Sequence, residues 1–131
     1  MREPLRVEDE ITGKIIGAAI EVHKHLGPGL LESAYQACLA HELSLRGIQF
    51  KREKVVPLVY KQLPVETAYR ADFIVENLVV VELKAVKQFE AIHQAQLMSY
   101  LKLANLKLGL LLNFNVRRLK AGGIKRVALN L

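Results

Sequence analysis

The sequence predicts a mixed α/β domain in which two helices precede three strands, one further helix and two more strands. Three observations carry that prediction. Apolar residues recur at helical spacing through the first third of the chain, the period then becomes that of extended strands, and helical spacing returns once, ahead of a fourth, strongly apolar run. The three consecutive strands form a meander, and the later helix carries the sheet onward through a crossover.

The first helix is expected after Arg6, because Ile11, Ile15, Ala18, Ala19, Val22 and Leu26 fall on one helical face. It ends at "LGPGL", where Gly27, Pro28 and Gly29 break the pattern and permit a sharp turn. A second helix runs from about Leu30 to Arg46, with Leu31, Ala34, Cys38 and Leu45 among its apolar positions and Gly47 as its stop. "EKVVPLVYK" reads as a strand, and Pro57, which has no N–H to donate, places it at an edge or at a bulge. "KQLP" is the turn. "ETAYRADFIV" and "LVVVELKAV" are two further strands about a turn at Glu76 and Asn77. From Phe89 to Ala104 the chain is helical, with Ile92, Ala95, Ser99 and Leu103 in one stripe. "KLGLLLNFNV" is apolar enough for a central strand, and "IKRVALNL" is a short last one.

At 131 residues the chain has the size of one domain, 1–131, large enough to bury a core. Hydrophobic residues at 51% and charged residues at 24% give an ordinary globular balance. Nineteen Lys and Arg against thirteen Asp and Glu leave a net charge of +6, which favours polyanionic partners. Cys38 is the one cysteine, so an internal disulfide and a thiolate zinc cluster are excluded, and a reducing cytoplasm fits. The opening "MREPLRVEDE" lacks the apolar centre of a signal peptide. No apolar run approaches the roughly 20 residues that span a bilayer. A cytoplasmic protein without a membrane partner is expected.

The stretch "YRADFIVENLVVVELKAV" raises the question of function. Asp72, Glu82 and Lys84 interrupt two very apolar strands, at a cost in free energy unless each charge pairs or binds something. Alternation puts Glu82 and Lys84 on one face with Val80, and Asp72 on one face with Ile74. A two-residue loop would set Asp72 opposite Val81, whereas a loop of Glu76, Asn77 and Leu78 would set it opposite Glu82. In the second register the two carboxylates repel, and a divalent cation between them removes the repulsion. Mg²⁺ takes such oxygen ligands and usually keeps several waters. The competing explanation is a solvated hairpin face on which Lys84 makes a surface ion pair of about 0–1 kcal/mol.

Two helical segments add candidates. In "GLLESAY" Glu32 opens the second helix and Tyr35 follows on the same side, although a Glu there also suits the helix dipole. In "HQAQLMSY" Gln96 and Tyr100 project from one face, with His93 nearby. A polar helix flank would look the same.

Together these residues resemble the PD-(D/E)xK nuclease superfamily, with its restriction-endonuclease-like fold. Asp72 with Glu82-x-Lys84 is similar to its signature hairpin, with Ala71 in place of the proline of the name, and Gln96-x-x-x-Tyr100 resembles the helix motif of its exonuclease-like branch. Gly29, Glu32 and Tyr35 resemble the motif of the small GxxExxY proteins within it. The resemblance runs from about Ile11 to Ala128. It implies an αβββαβ core, here with one helix added before and one strand after.

It also implies a mechanism. Asp72 and Glu82 would hold Mg²⁺ (or Mn²⁺) with the backbone carbonyl of Leu83, and Glu32 would join through a water or a second ion. Lys84 would orient or help deprotonate the attacking water, and Gln96 and Tyr100 would position the phosphate. Lys51, Arg52, Arg70, Arg117 and Arg118 would supply phosphate contacts. The expected partner is nucleic acid, DNA ahead of RNA, and apolar edges on so small a domain are compatible with a homodimer. The alternative is a catalytically silent module on the same fold that binds nucleic acid or protein. A third reading is a metal-dependent hydrolase of another phosphoester.

Overall fold

The computed structural model of the protein describes residues 7–129; Met1 to Arg6 of the charged opening and the last two residues of "IKRVALNL" lie outside them. Helix α1 spans Val7–Leu26, with Glu8, Asp9 and Glu10 in its first turn and His23, Lys24 and His25 in its last, charges that suit both ends of the helix dipole. Ile11, Ile15, Ala18, Ala19 and Val22 are buried along it as the spacing predicts, while Leu26 is left partly exposed. Helix α2 spans Glu32–Leu45. Its buried stripe differs from the expected one. Tyr35, Leu39 and Leu43, at i, i+4 and i+8, face the core, whereas Leu31 and Leu45 are 77% and 67% exposed and Cys38 is exposed. The stripe is anchored by a tyrosine, whose polar tip hides it from a reading of aliphatic spacing.

Five strands form one sheet in sequence order: β1 Phe50–Tyr60, β2 Leu63–Val75, β3 Val79–Lys84, β4 Leu108–Asn113 and β5 Ile124–Ala128. Neighbours are antiparallel except β3 and β4, which run parallel because α3 (Ala91–Ala104) crosses between them. The expected αβββαβ order, with a helix before and a strand after, is therefore the order observed. Pro57 meets both of its expectations, lying in edge strand β1 at a shift in register between Val56 and Leu58. The turn after β1 is only Lys61 and Gln62, both with positive φ; Leu63 and Pro64 already pair with Tyr60 and Val59.

Helices α1 and α2 cover one face of the sheet over Phe73, Val79, Val81, Leu83, Leu108 and Leu110. Helix α3 covers the other, over Ile74, Val80 and Leu111. Leu97 and Leu101 are the fully buried residues of α3, and Ile92 of the expected stripe is 56% exposed. That shift has a cause in β4. A Cβ on Gly109 would come within 2.8–2.9 Å of the Leu97 side chain, so the missing methyl lets Leu97 dock directly on the strand. The rotation leaves Gln96 and Tyr100 half-buried on the flank of α3.

Candidate active site

The β2–β3 turn decides what the hairpin charges do. Glu76 and Asn77 both adopt positive φ, 52° and 56°, and Leu78 N–H donates to the Val75 carbonyl at 3.0 Å. Val75 pairs with Val79, Ile74 with Val80 and Phe73 with Val81. This is the three-residue register, and its next step brings Asp72 to Glu82.

At that step the backbone ladder stops and side chains take over. Asp72 N–H donates to Glu82 Oε1 (3.1 Å), and Leu83 N–H donates to Asp72 Oδ2 (2.8 Å). Each carboxyl thus caps the other strand where the two part. The disturbance extends to β1, where Glu53 stands between the pairs Arg52–Phe73 and Lys54–Ala71, unpaired with Asp72 and at φ 50°. That conformation is uncommon for a residue with a side chain. The irregularity also reverses the faces of β2: Ala71 packs under α3, whereas Phe73 and Val75 pack under α1 and α2.

Glu82 is only 6% exposed, which rules out a solvated face at this position. Burial first, and then the Asp72 charge, push its carboxyl from 4.5 up to about 9; Lys84 pulls the other way. Glu82 is buried and Asp72 half-buried beside it, and a cation between the two carboxyls would relieve their repulsion. Lys84 ends β3 half-buried and in register with Asn113, and its carbonyl accepts from Phe114 N–H at 3.0 Å.

Helix α3 supplies the far wall. Tyr100 packs edge-on against Tyr69, with ring centres 4.6 Å apart. Its hydroxyl is pushed up to about 12 by burial, then by the Glu82 and Asp72 charges and by Tyr69, so it stands within electrostatic reach of the pair. Gln96 lies one turn ahead on the same face, half-buried. His93 serves the helix itself: its side chain accepts from Glu90 N–H in a capping box.

Helix α2 supplies the near wall through a residue that sequence reasoning missed. Gln36 Nε2 donates to Asp72 Oδ1 at 3.0 Å, and Gln36 Oε1 accepts from Arg52 Nε at 3.1 Å. Glu32 lies one turn ahead of Gln36, exposed, with no hydrogen bond to Asp72 or Glu82 among the described residues. Tyr35, the motif tyrosine, points away into the core. It stacks on Phe114 (4.6 Å, 14°), donates to the Gly27 carbonyl at 2.6 Å and accepts from Leu30 N–H at 3.2 Å. Its work is to hold the Gly27–Leu30 loop that aims the start of α2. A second missed residue is Asn113, 1% exposed, which accepts from Val86 N–H (3.1 Å) and donates to the Val86 carbonyl (2.9 Å), fixing the chain just after Lys84. A lone Asn in the run "GLLLNF" was the signal for it.

Asp72, Glu82, Lys84 and Tyr100 are therefore gathered at the gap where β2 and β3 part, while Glu32 and Gln96 share helix faces with residues that reach it. No group of three or more His, Cys, Asp or Glu able to hold an ion exists among the described residues, so Glu32 does not form a three-carboxylate set with the pair. The donor set is two carboxyls, which suits a hard cation that keeps waters of its own. Among the described residues, no helix is long and apolar enough to cross a membrane. The family model of the PD-(D/E)XK nuclease superfamily matches residues 9–127. No curated protein and no solved structure matches the chain.

Proposed function

This chain belongs to the PD-(D/E)XK nuclease superfamily, and from that premise we propose that it is a Mg²⁺-dependent nuclease that hydrolyses phosphodiester bonds at the Asp72–Glu82–Lys84 site. The observation that carries the reading is the meeting of half-buried Asp72 with buried Glu82 where β2 and β3 part, two acids whose mutual repulsion a cation would relieve. Asp72 and Glu82 would hold Mg²⁺ or Mn²⁺ with the Leu83 carbonyl, and Glu32 would take part through a water or a second ion. Such an ion, when bound, lowers the pKa of its water and neutralises charge that develops on phosphate.

The chain's own residues do the rest. Gln36 fixes one oxygen of Asp72 and Leu83 N–H the other, so the carboxyl cannot rotate freely. Lys84 orients or helps deprotonate the attacking water, or meets the phosphate as a point charge. Gln96 and Tyr100 position the scissile phosphate from the α3 side. Lys51, Arg52, Arg70, Arg117 and Arg118 are all exposed and contact flanking phosphates. Arg52 also holds the outer end of Gln36, which ties phosphate contact to the set of Asp72.

We place the chain, residues 1–131 as one domain, with the GxxExxY proteins on Gly29, Glu32 and Tyr35, in the cytoplasm, with DNA ahead of RNA as substrate. Exposed Val59, Tyr60 and Leu63 at the tip of the β1–β2 hairpin support a homodimer. The test is cleavage of single- and double-stranded DNA and RNA with Mg²⁺, Mn²⁺ or chelator. Divalent-dependent cleavage that Asp72→Asn abolishes is expected. Binding without cleavage of any of the four substrates would instead favour the silent module.

A further inference from the structure

A second feature lies outside the carboxyl site. A cavity of about 420 Å³ opens between α1 and the loop that joins β4 to β5. Its volume is in the range of small-ligand pockets. Ile20 and Leu119 give it an apolar floor, and Lys24, Arg117, Arg118 and Lys120 give it a cationic rim. None of the four cations forms an ion pair among the described residues, so their charge is uncompensated.

The walls are fixed. His23 Nε2 donates to the Val116 carbonyl at 2.7 Å, tying α1 to the loop, and the loop closes on itself through Ala121 N–H to Arg118 and Gly123 N–H to Leu119. The loop leaves the C-terminal end of β4, and β3 runs parallel beside β4, with Lys84 in register with Asn113. The cavity and Lys84 therefore lie at the same end of the sheet.

We propose that this cavity holds one nucleotide unit of an unpaired nucleic-acid strand, its phosphates on Lys24, Arg117, Arg118 and Lys120 and its base against Ile20 and Leu119. A bare phosphate would need only the cations. The apolar floor calls for a flat, largely apolar group attached to the anion, and a base in an unpaired strand offers its face, whereas a duplex keeps it stacked. The inference rests on the nuclease reading and deepens it by naming the strand state of its substrate.

The test is binding of a labelled unpaired oligonucleotide and of the matching duplex in chelator, across a range of salt. Because no divalent ion is present, the result is independent of whether Asp72 and Glu82 support cleavage. Combined Lys24→Gln, Arg117→Gln, Arg118→Gln and Lys120→Gln should weaken unpaired-strand binding about tenfold or more. It should also reduce the salt slope by about 0.7 for each phosphate no longer neutralised, about 1.4 for the two phosphates that flank one nucleotide. The duplex should be weakened less. The four side chains are exposed, so melting should match wild type; were the combined variant to melt early, the four single variants carry the same comparison. Unchanged unpaired-strand binding, an equal weakening on the duplex, or no binding by wild type would each overturn the proposal.

Discussion

Among the described residues, Glu82 carries the strongest electrostatic consequence. Its carboxyl is raised from 4.5 to about 9, chiefly by burial and then by Asp72. The folded chain therefore keeps a proton that the unfolded chain gives up. By linkage, that contribution to stability is fully present below pH 4.5 and is lost as pH rises through about 9. Melting in chelator should show stability falling across this window, and Glu82→Gln, which cannot ionise, should flatten that part of the profile. A wild-type profile rising over the same window would contradict the assignment. Asn113 acts differently, through geometry. Asn113→Ala leaves the Val86 N–H and carbonyl without their partner and should cost about 1–3 kcal/mol in a denaturation midpoint. At this scale the sequence exposed the charges in apolar strands, because a buried charge is anomalous wherever it stands. It did not expose Gln36. A glutamine on a helix is ordinary, and only the approach of α2 to the parting strands makes it a partner of Asp72.

Among the elements, the strands are easier to read than the faces of α2 and α3. Hydrophobic runs bounded by turn residues locate β2, β3 and β4, and the two candidate turn lengths reduce the hairpin to two registers. Local turn chemistry chooses between them: Glu76 and Asn77 take positive φ, and Leu78 becomes the extra residue that brings Asp72 to Glu82. The helix faces depart from the expected stripes because the deciding contacts are long-range. Tyr35 joins the core by stacking on Phe114, some eighty residues later in the chain, and Leu97 does so because Gly109 leaves room for it. Gly109→Ala tests the second case. The added methyl would press on Leu97 within a closed core, so a destabilisation of about 1–3 kcal/mol is expected in chemical denaturation. Since Leu97 adjoins Gln96, cleavage should fall more than stability alone explains. A fully stable variant would show that α3 can shift at no cost.

Over the whole molecule, the sheet does one thing for the site: it lets β2 and β3 diverge while β3 stays paired with β4 through Lys84. The gap lies between Gln36 of α2 and Tyr100 of α3, and exposed cations stand on β1, β2 and the β4–β5 loop. The net charge of +6 is legible in the composition, whereas the placement of Arg52 against Gln36, and so beside Asp72, is not. On our reading this gap performs metal-dependent phosphodiester hydrolysis, with Lys84 acting on the water or the phosphate. Divalent-dependent cleavage by wild type and Lys84→Ala at matched salt, with Mn²⁺ binding measured on both, decides the matter. Closely similar folding and metal affinity are expected, with nucleic-acid affinity only slightly weaker and cleavage reduced roughly 10²-fold or more. Equal cleavage rates in the two proteins, or divalent-dependent cleavage in neither, would contradict it.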